Sequence, residues 1–253
     1  MAGRFGGELK WIDPKLLIDE TNHNRLESFF LGLGVAFNDL KGLLLFGNML
    51  DELYERPSKD EITSHAGNYG GIVIQIQKLF AGTLNELLIF LKKNSDVSSS
   101  VEFKEILNRL SKQDKQLWEG MIAVAYGKLP NTENLLKTIV KIRSNVAFHF
   151  DHSGKILRNA YISRFFGKTE DEKAKYAYYS IDDNIELTRF YFSDASVEES
   201  LQIAAGKKPK ENSVGDIFIE KYQDQLRKTI VVICITMKSL LKNYIQLRRN
   251  RPH

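Results

Sequence analysis

Apolar residues recur at intervals of three and four along most of the chain, which is the spacing of one face of an α-helix. This pattern predicts a first long helix over residues 20–54, which Pro57 ends. It also predicts a helix over residues 72–93 and a final helix over residues 214–248. The stripes expected in the core are Phe30, Leu33, Phe37, Leu40 and Leu44, then Ile76, Phe80, Leu84, Leu87 and Leu91, then Tyr222, Leu226, Ile230, Ile233, Met237, Leu241 and Tyr244.

Polar residues with side-chain oxygens predict where shorter helices begin. Ser100 follows a polar linker and is placed to cap a helix that runs to Leu110. Ser111, with Asp114 three residues later, resembles a capping box and predicts a helix to about Ala125. These two short helices lie between the long ones.

Two segments predict departures from regular long helices. The glycine-rich residues 67–71 predict a break or frayed start before the second helix. Residues 175–181 and 185–192 are rich in strand formers and flank an Asp-Asp-Asn turn, which predicts a β-hairpin followed by a short helix over residues 193–205. The sequence therefore predicts one all-α domain over residues 1–253, an antiparallel helical bundle in which residues 170–194 form an inserted β-hairpin.

Composition narrows the class of protein. Hydrophobic residues make up 43% and charged residues 27% of the 253 residues, which excludes a disordered or collagen-like chain. The net charge of +4 is compatible with nucleic acid but does not require it. The absence of strand–helix alternation and of GxGxxG or GK[ST] motifs argues against Rossmann-type and P-loop chemistry.

The single cysteine and the short apolar runs indicate where in the cell the protein resides. Cys234 lies within an apolar run, so we expect it to be buried rather than catalytic. No charged-then-apolar leader opens the sequence, and uninterrupted apolar runs reach only about six residues, against the ~20 that span a bilayer. We therefore expect a soluble cytoplasmic protein without a membrane partner.

Residues 132–150, bounded by Pro130 and by the stop signal at residues 151–154, predict the helix that carries candidate chemistry. Its two apolar rows should be buried, yet Arg143 and His149 both fall on them. An unpaired buried charge costs several kcal/mol, so the two side chains need partners or a function. The apolar rows are Leu135, Ile139, Ile142, Val146 and His149, and Leu136, Val140, Arg143, Ala147 and Phe150.

Helix geometry allows Arg143 and His149 to act together. They lie six residues apart, roughly 120° around the helix and ~9 Å along it, so the long arginine side chain can reach a group bound beside the imidazole. Asn145 precedes His149 by four residues and could orient its ring. In a purely structural interpretation, the histidine is a satisfied core residue and the arginine pairs with Asp39 or Glu27 of the first helix.

The string Arg143-Ser144-Asn145-Val146-Ala147-Phe148-His149, followed by Phe150-Asp151, resembles the signature of the HEPN superfamily. That signature is an arginine, four to six residues, then a histidine, late in a helical bundle. The resemblance covers roughly residues 19–150 and the last helix. In many catalytic members Asn, Asp or His follows the arginine directly, whereas this chain has Ser144 there. Members without catalysis serve as binding or scaffold domains.

The resemblance implies a homodimeric, metal-independent endoribonuclease without a cofactor, in which the motifs of two subunits meet. In this interpretation, the catalytic residues are Arg143, which clamps the phosphate, His149, which acts as acid or base, and Asn145, which holds the ring or a phosphate oxygen. The neighbouring Ser144, Asp151 and His152 are candidates for substrate binding. The implied partners are RNA, a second copy, and an antitoxin or regulatory protein if the chain is a toxin or defence effector.

Three other interpretations use neighbouring residues. His149, Asp151 and His152 could suggest a metal site, but His23 and His65 lie on distant segments, so we expect none. The aromatic residues of the hairpin could stack on bases beside Arg189, although packing onto the bundle is the commoner use. The basic residues 207–210 and 248–251 could attract phosphates, or could be solvated.

Overall fold

The computed structural model describes residues 10–19, 21, 24–55, 57–58, 63–128, 155–166, 169, 177–181, 183, 188–204 and 215–250. Within these ranges the chain is almost entirely helical, which confirms the all-α prediction. The helices are α1 (Pro14–Leu17), α2 (Arg25–Leu53), α3 (Ser64–Lys93), α4 (Ser95–Ser99), α5 (Val101–Asn108), α6 (Lys112–Ala125), α7 (Lys155–Phe165), α8 (Tyr191–Ala204) and α9 (Gly215–Arg249).

The three longest helices, α2, α3 and α9, pack around a shared hydrophobic core. The ring of Phe30 stacks on that of Tyr244, with centroids 4.1 Å apart, which joins α2 to α9. The ring of Phe29 stacks on that of Phe90, with centroids 5.2 Å apart, which joins α2 to α3. Phe103 of α5 lies against Phe29 and closes the core from the side of the short helices. Burial of these aromatic side chains dominates the packing energy.

The predicted caps are present, and the described residues of the predicted core stripes lie in or against the hydrophobic core, while the side chain of Tyr222 lies outside the described residues. Ser100 accepts a hydrogen bond from the backbone N–H of Phe103 at 3.2 Å, and Ser111 accepts one from that of Asp114 at 3.0 Å. Each bond satisfies one of the donors that the first turn of a helix leaves free. The α5 helix ends at Asn108, two residues before the predicted end, and the polar linker ahead of it contains the short helix α4.

The glycine-rich run does not break the second helix, so that prediction was wrong. Residues 67–71 lie within the first two turns of α3. Gly67 and Gly71 are four residues apart, and therefore on one face. The ring of Tyr191 lies against Gly67 and the guanidinium of Arg189 lies against Gly71, where a Cβ atom would overlap them. The two glycines are used for this close approach rather than for a turn.

The region of the predicted hairpin is only partly described. Ser180 and Arg189 form an isolated antiparallel bridge, with N–O distances of 2.8 and 2.9 Å, and no longer strand exists within the described residues. The following helix, α8, begins at Tyr191, two residues before its predicted start. The helix α7, which packs against α8, was not predicted from the sequence.

Among the described helices, α2, α3 and residues 226–249 of α9 are long and apolar enough to cross a membrane, judged by length and composition alone. Each contains a window of 18 residues with no more than two charged side chains. Uninterrupted apolar runs are short because single polar residues divide them, which is why run length did not reveal this property. A membrane location therefore stands beside the cytoplasmic one predicted from the sequence.

Candidate functional site

The residues of the arginine–histidine motif lie outside the described part of the chain, as does the predicted helix over residues 132–150. Their roles therefore stay predictions. The residues concerned are Arg143, Ser144, Asn145, His149, Asp151 and His152.

The described elements that precede and follow the motif in the sequence are α6 and α7. After α6, Gly127 has a positive φ of 68°, a conformation that glycine adopts without strain. The chain is described again from Lys155, where α7 begins six residues after His149 in the sequence. Ser163 of α7 donates a hydrogen bond to the carboxylate of Glu199 at 2.7 Å, and both side chains are buried. This bond helps anchor the element that follows the motif to α8.

Two carboxylates could have neutralised Arg143 in a purely structural role, and the structure shows where each of them lies. Glu27 is only 4% exposed and pairs with Arg248 of α9, with an N–O distance of 2.8 Å. Asp39 is at the surface of α2. The buried carboxylate of Glu27 is thus already neutralised by the guanidinium of Arg248. The exposed carboxylate of Asp39 can keep its charge in water without a partner.

A second group of charges, which the sequence analysis did not single out, lies between α3 and the start of α8. The Nε atom of Arg189 donates to the carboxylate of Asp194 at 2.8 Å, with both side chains half-buried. Burial lowers the pKa of Lys78, while the nearby charge of Asp194 acts to raise it. Only the folded chain brings these residues together, because over a hundred positions separate Lys78 from the other two.

The described aromatic residues of the predicted hairpin include inward-packed and exposed side chains. Tyr191, like Arg189, packs inward onto α3. Tyr178, Tyr179 and Phe190 are exposed. Packing therefore explains the inner residues, and Arg189 is engaged with Asp194 rather than free to bind a base.

The basic end of α9 is largely used within the fold. Arg248 pairs with Glu27 and donates through Nε to the carbonyl of Leu16. Arg249 donates to the carbonyl of Trp11 at 2.9 Å. These two arginines therefore tie the N-terminal segment to α9, while residues 207–210 and Arg251 lie outside the described residues.

His65 could bind a metal and Cys234 could act as a nucleophile, but each side chain is held by contacts within the fold. The Nε2 atom of His65 is 2.7 Å from the carbonyl oxygen of Glu55, and its ring stacks on that of Tyr54. Cys234 is buried, as predicted, and burial raises the pKa of its thiol to about 11. The described residues contain no group of three potential metal-binding side chains.

Comparison of the chain with protein-family models, with curated protein sequences and with solved structures found no match. The function of this protein is therefore inferred from its own residues.

Proposed function

We propose that this protein is a HEPN-like, metal-independent endoribonuclease that acts as a homodimer in the cytoplasm, and that it is a toxin or defence effector with an antitoxin or regulatory partner. In this proposal the helices form a HEPN-like bundle, and residues 170–194 form a hairpin inserted into it. The catalytic residues are Arg143, His149 and Asn145, and the substrate is RNA.

The observation that carries the proposal is the placement of Arg143 and His149 on the apolar face of a sequence-predicted helix. A charge on such a face requires a partner. The pairing of Glu27 with Arg248 supports a functional partner, because it occupies the buried carboxylate that could otherwise have neutralised Arg143. In this proposal, a bound phosphodiester supplies the negative charge that Arg143 requires.

RNA carries its own nucleophile, so this chemistry needs only proton transfer and charge stabilisation. One histidine removes the proton from the 2′-hydroxyl, whose oxygen then forms a bond to the adjacent phosphorus. The bond from phosphorus to the 5′-oxygen breaks, and a second histidine donates a proton to that oxygen. The products are a 2′,3′-cyclic phosphate and a 5′-hydroxyl. Arg143 binds the phosphate oxygens and stabilises their increasing charge, and Asn145 orients the ring.

Each chain supplies one motif histidine at a suitable position, so a second chain completes the acid–base pair. Histidine is the side chain whose unperturbed pKa lies near neutrality, so an imidazole at position 149 suits either role. Ser144, Asp151 and His152 would contact the RNA beside the reacting phosphate.

The test is incubation of the purified protein with RNA in the presence of EDTA, followed by analysis of the product ends. We expect the native chain to leave 2′,3′-cyclic phosphate ends, and His149→Ala and Arg143→Ala to lose cleavage by at least ~100-fold. His65→Ala is the matched control, because His65 packs beside Tyr54 and should not affect cleavage. Equal cleavage by the native and His149→Ala proteins would indicate contamination and would overturn the proposal.

The second candidate is a catalytically silent helical bundle that binds RNA, a nucleotide or a protein partner. Ser144 favours it, because catalytic members of the resembled family often have Asn, Asp or His at that position. In that case the native chain shifts RNA in a gel without cleaving it, and Arg143→Ala weakens the shift. Strong destabilisation by His149→Ala without RNA binding would instead indicate a purely structural histidine.

A further inference from the structure

The outward face of α2 carries a stripe of large apolar side chains on the side opposite the core. These five side chains have exposed fractions between 44% and 66%, and they recur at helical spacing. A helix with an apolar outer face as well as an apolar inner face is usually covered on both sides. The stripe consists of Leu31, Val35, Phe46, Met49 and Leu53.

The apolar area of the stripe is large enough to form the centre of a protein interface. Five large side chains that are about half exposed leave on the order of 500 Å² of apolar surface in water, near the upper end for single chains. A standard interface buries ~800 Å² on each partner, with an apolar centre and a polar rim. Asp39 and Lys41 are exposed on the two flanks of the stripe, and the exposed Asn38 lies within it, between Val35 and Phe46.

A bilayer is a poor fit to α2 despite its length. Asp39 and Lys41 lie at the middle of this helix and both are exposed. A charged side chain at the centre of a membrane span costs about 2.5–3.5 kcal/mol. Near the end of the helix, Asp51 also pairs with Arg227 of α9 at 3.0 Å, which adds two charges to the same region.

Four of the five positions of the stripe are symmetric about Gly42, while the counterpart of Phe46 is Asn38. Val35 and Met49 each lie seven residues from Gly42, and Leu31 and Leu53 each lie eleven residues from it. Gly42 itself is exposed, with no atom within 4 Å of the place a Cβ would occupy. A two-fold interface requires a surface that is complementary to itself, and a small central residue lets two helices approach closely.

We propose that α2 packs antiparallel against α2 of a second copy of this chain, with the two helices crossing at Gly42. Leu31 then lies opposite the partner's Leu53, and Val35 lies opposite the partner's Met49. The inference rests on the proposed function, which requires a dimer, and it names a surface through which two copies associate. The interface is tested by association and the function by RNA cleavage, so failure of one is distinguishable from failure of the other.

The first experiment measures the mass of the full chain in solution by light scattering or sedimentation. We expect about twice the 29.0 kDa of one chain. Val35→Glu places a charge in the interface twice per dimer, so it should raise the dimer dissociation constant by at least ~100-fold. Val101→Glu is the matched control, since Val101 is an exposed helical valine on α5 and should leave the dimer intact. Equal circular dichroism spectra will show that both variants are folded.

The second experiment tests the crossing point without adding a charge. Gly42→Cys should form a disulfide between two chains under mild oxidation, because position 42 faces itself across the two-fold axis. Gly120→Cys on α6 is the control, as Gly120 is also an exposed helical glycine with open space around it. Cys234 is buried, and the unmodified chain reports any cross-linking through it.

Three results would overturn the proposal. One is a native chain that stays monomeric in the mass measurement. Another is a dimer that Val35→Glu leaves intact, or that Gly42→Cys links no faster than Gly120→Cys. The third is flotation of the native chain, but not Val35→Glu, with phosphatidylcholine–phosphatidylglycerol vesicles, which would show that a lipid surface covers the stripe.

Discussion

Arg248, in the last turn of α9, and Glu27, in the first turn of α2, form a buried ion pair with an N–O distance of 2.8 Å. The carboxylate of Glu27 also accepts a hydrogen bond from the backbone N–H of Asp19 at 3.0 Å, and Arg248 donates to the carbonyl of Leu16. Two side chains thereby join the N-terminal segment, α2 and α9. Since the pair is shielded from water, the loss of one partner leaves the other charge uncompensated.

Glu27→Gln should therefore destabilise the fold substantially. The amide keeps the size of the side chain but leaves Arg248 without its counter-charge, at a cost of about 2–4 kcal/mol. For a chain of this length the melting temperature should fall by about 5–15 °C. Glu105→Gln is the matched control, because Glu105 pairs with Arg109 at the surface and should cost under ~0.5 kcal/mol. Similar small losses in both variants would show that the buried pair contributes little.

Gly67→Ala and Gly70→Ala should change stability in opposite directions. The methyl group of the first overlaps the ring of Tyr191, so α8 must shift at a cost of about 1–3 kcal/mol. Gly70 has open space around it in the same helix, and its replacement should stabilise by about 0.5–1 kcal/mol. Urea denaturation of the two variants measures both effects. Stabilisation by both would mean that Tyr191 does not pack against α3.

The thiol of Cys234 should resist alkylation in the native protein. Its pKa of about 11, against an ordinary value of 9.0, leaves ~100-fold less thiolate at pH 8, and burial slows access further. Because the unfolded thiol ionises first, its contribution to stability should fall as the pH rises from about 9 to about 11. Iodoacetamide labelling at pH 8, with and without urea, tests the prediction, and the surface thiol of Gly120→Cys is the control. Rapid native labelling of Cys234 would contradict its burial.

Lys78→Met should keep or increase stability at neutral pH. Burial is the main cause that lowers the pKa of Lys78, so the charged amine is less favourable in the folded chain than in water. Stability should rise with pH between that lowered pKa and the ordinary value of 10.5, and this rise should be absent in the variant. Lys104→Met, at an exposed position on α5, is the control. A lower melting temperature for Lys78→Met than for Lys104→Met would show that attraction to Asp194 outweighs burial.

Local signals in the sequence predicted much of the secondary structure. The bounds of α6 and α9 and the end of α2 follow from apolar periodicity and from capping residues such as Ser111, because both act within a few residues along the chain. The start of α2 is Arg25, five residues after its predicted start. The arginine–histidine motif was also found locally, as two polar residues on an apolar stripe. Prediction from local preference was wrong at residues 67–71. There, packing against Tyr191 outweighs the poor preference of glycine for the helix.

The sequence by itself determined that the described part of the chain is all-α, which faces of α2, α3 and α9 lie in the core, and which residues are candidates for chemistry. Only the tertiary structure decided that Glu27 pairs with Arg248, that Arg189 meets Asp194 beside Lys78, and that the outer face of α2 stays uncovered. The physical reason is the range of the interactions. Helix formation and capping depend on neighbours in the chain, whereas ion pairs and uncovered faces depend on which distant segments burial of the core brings together.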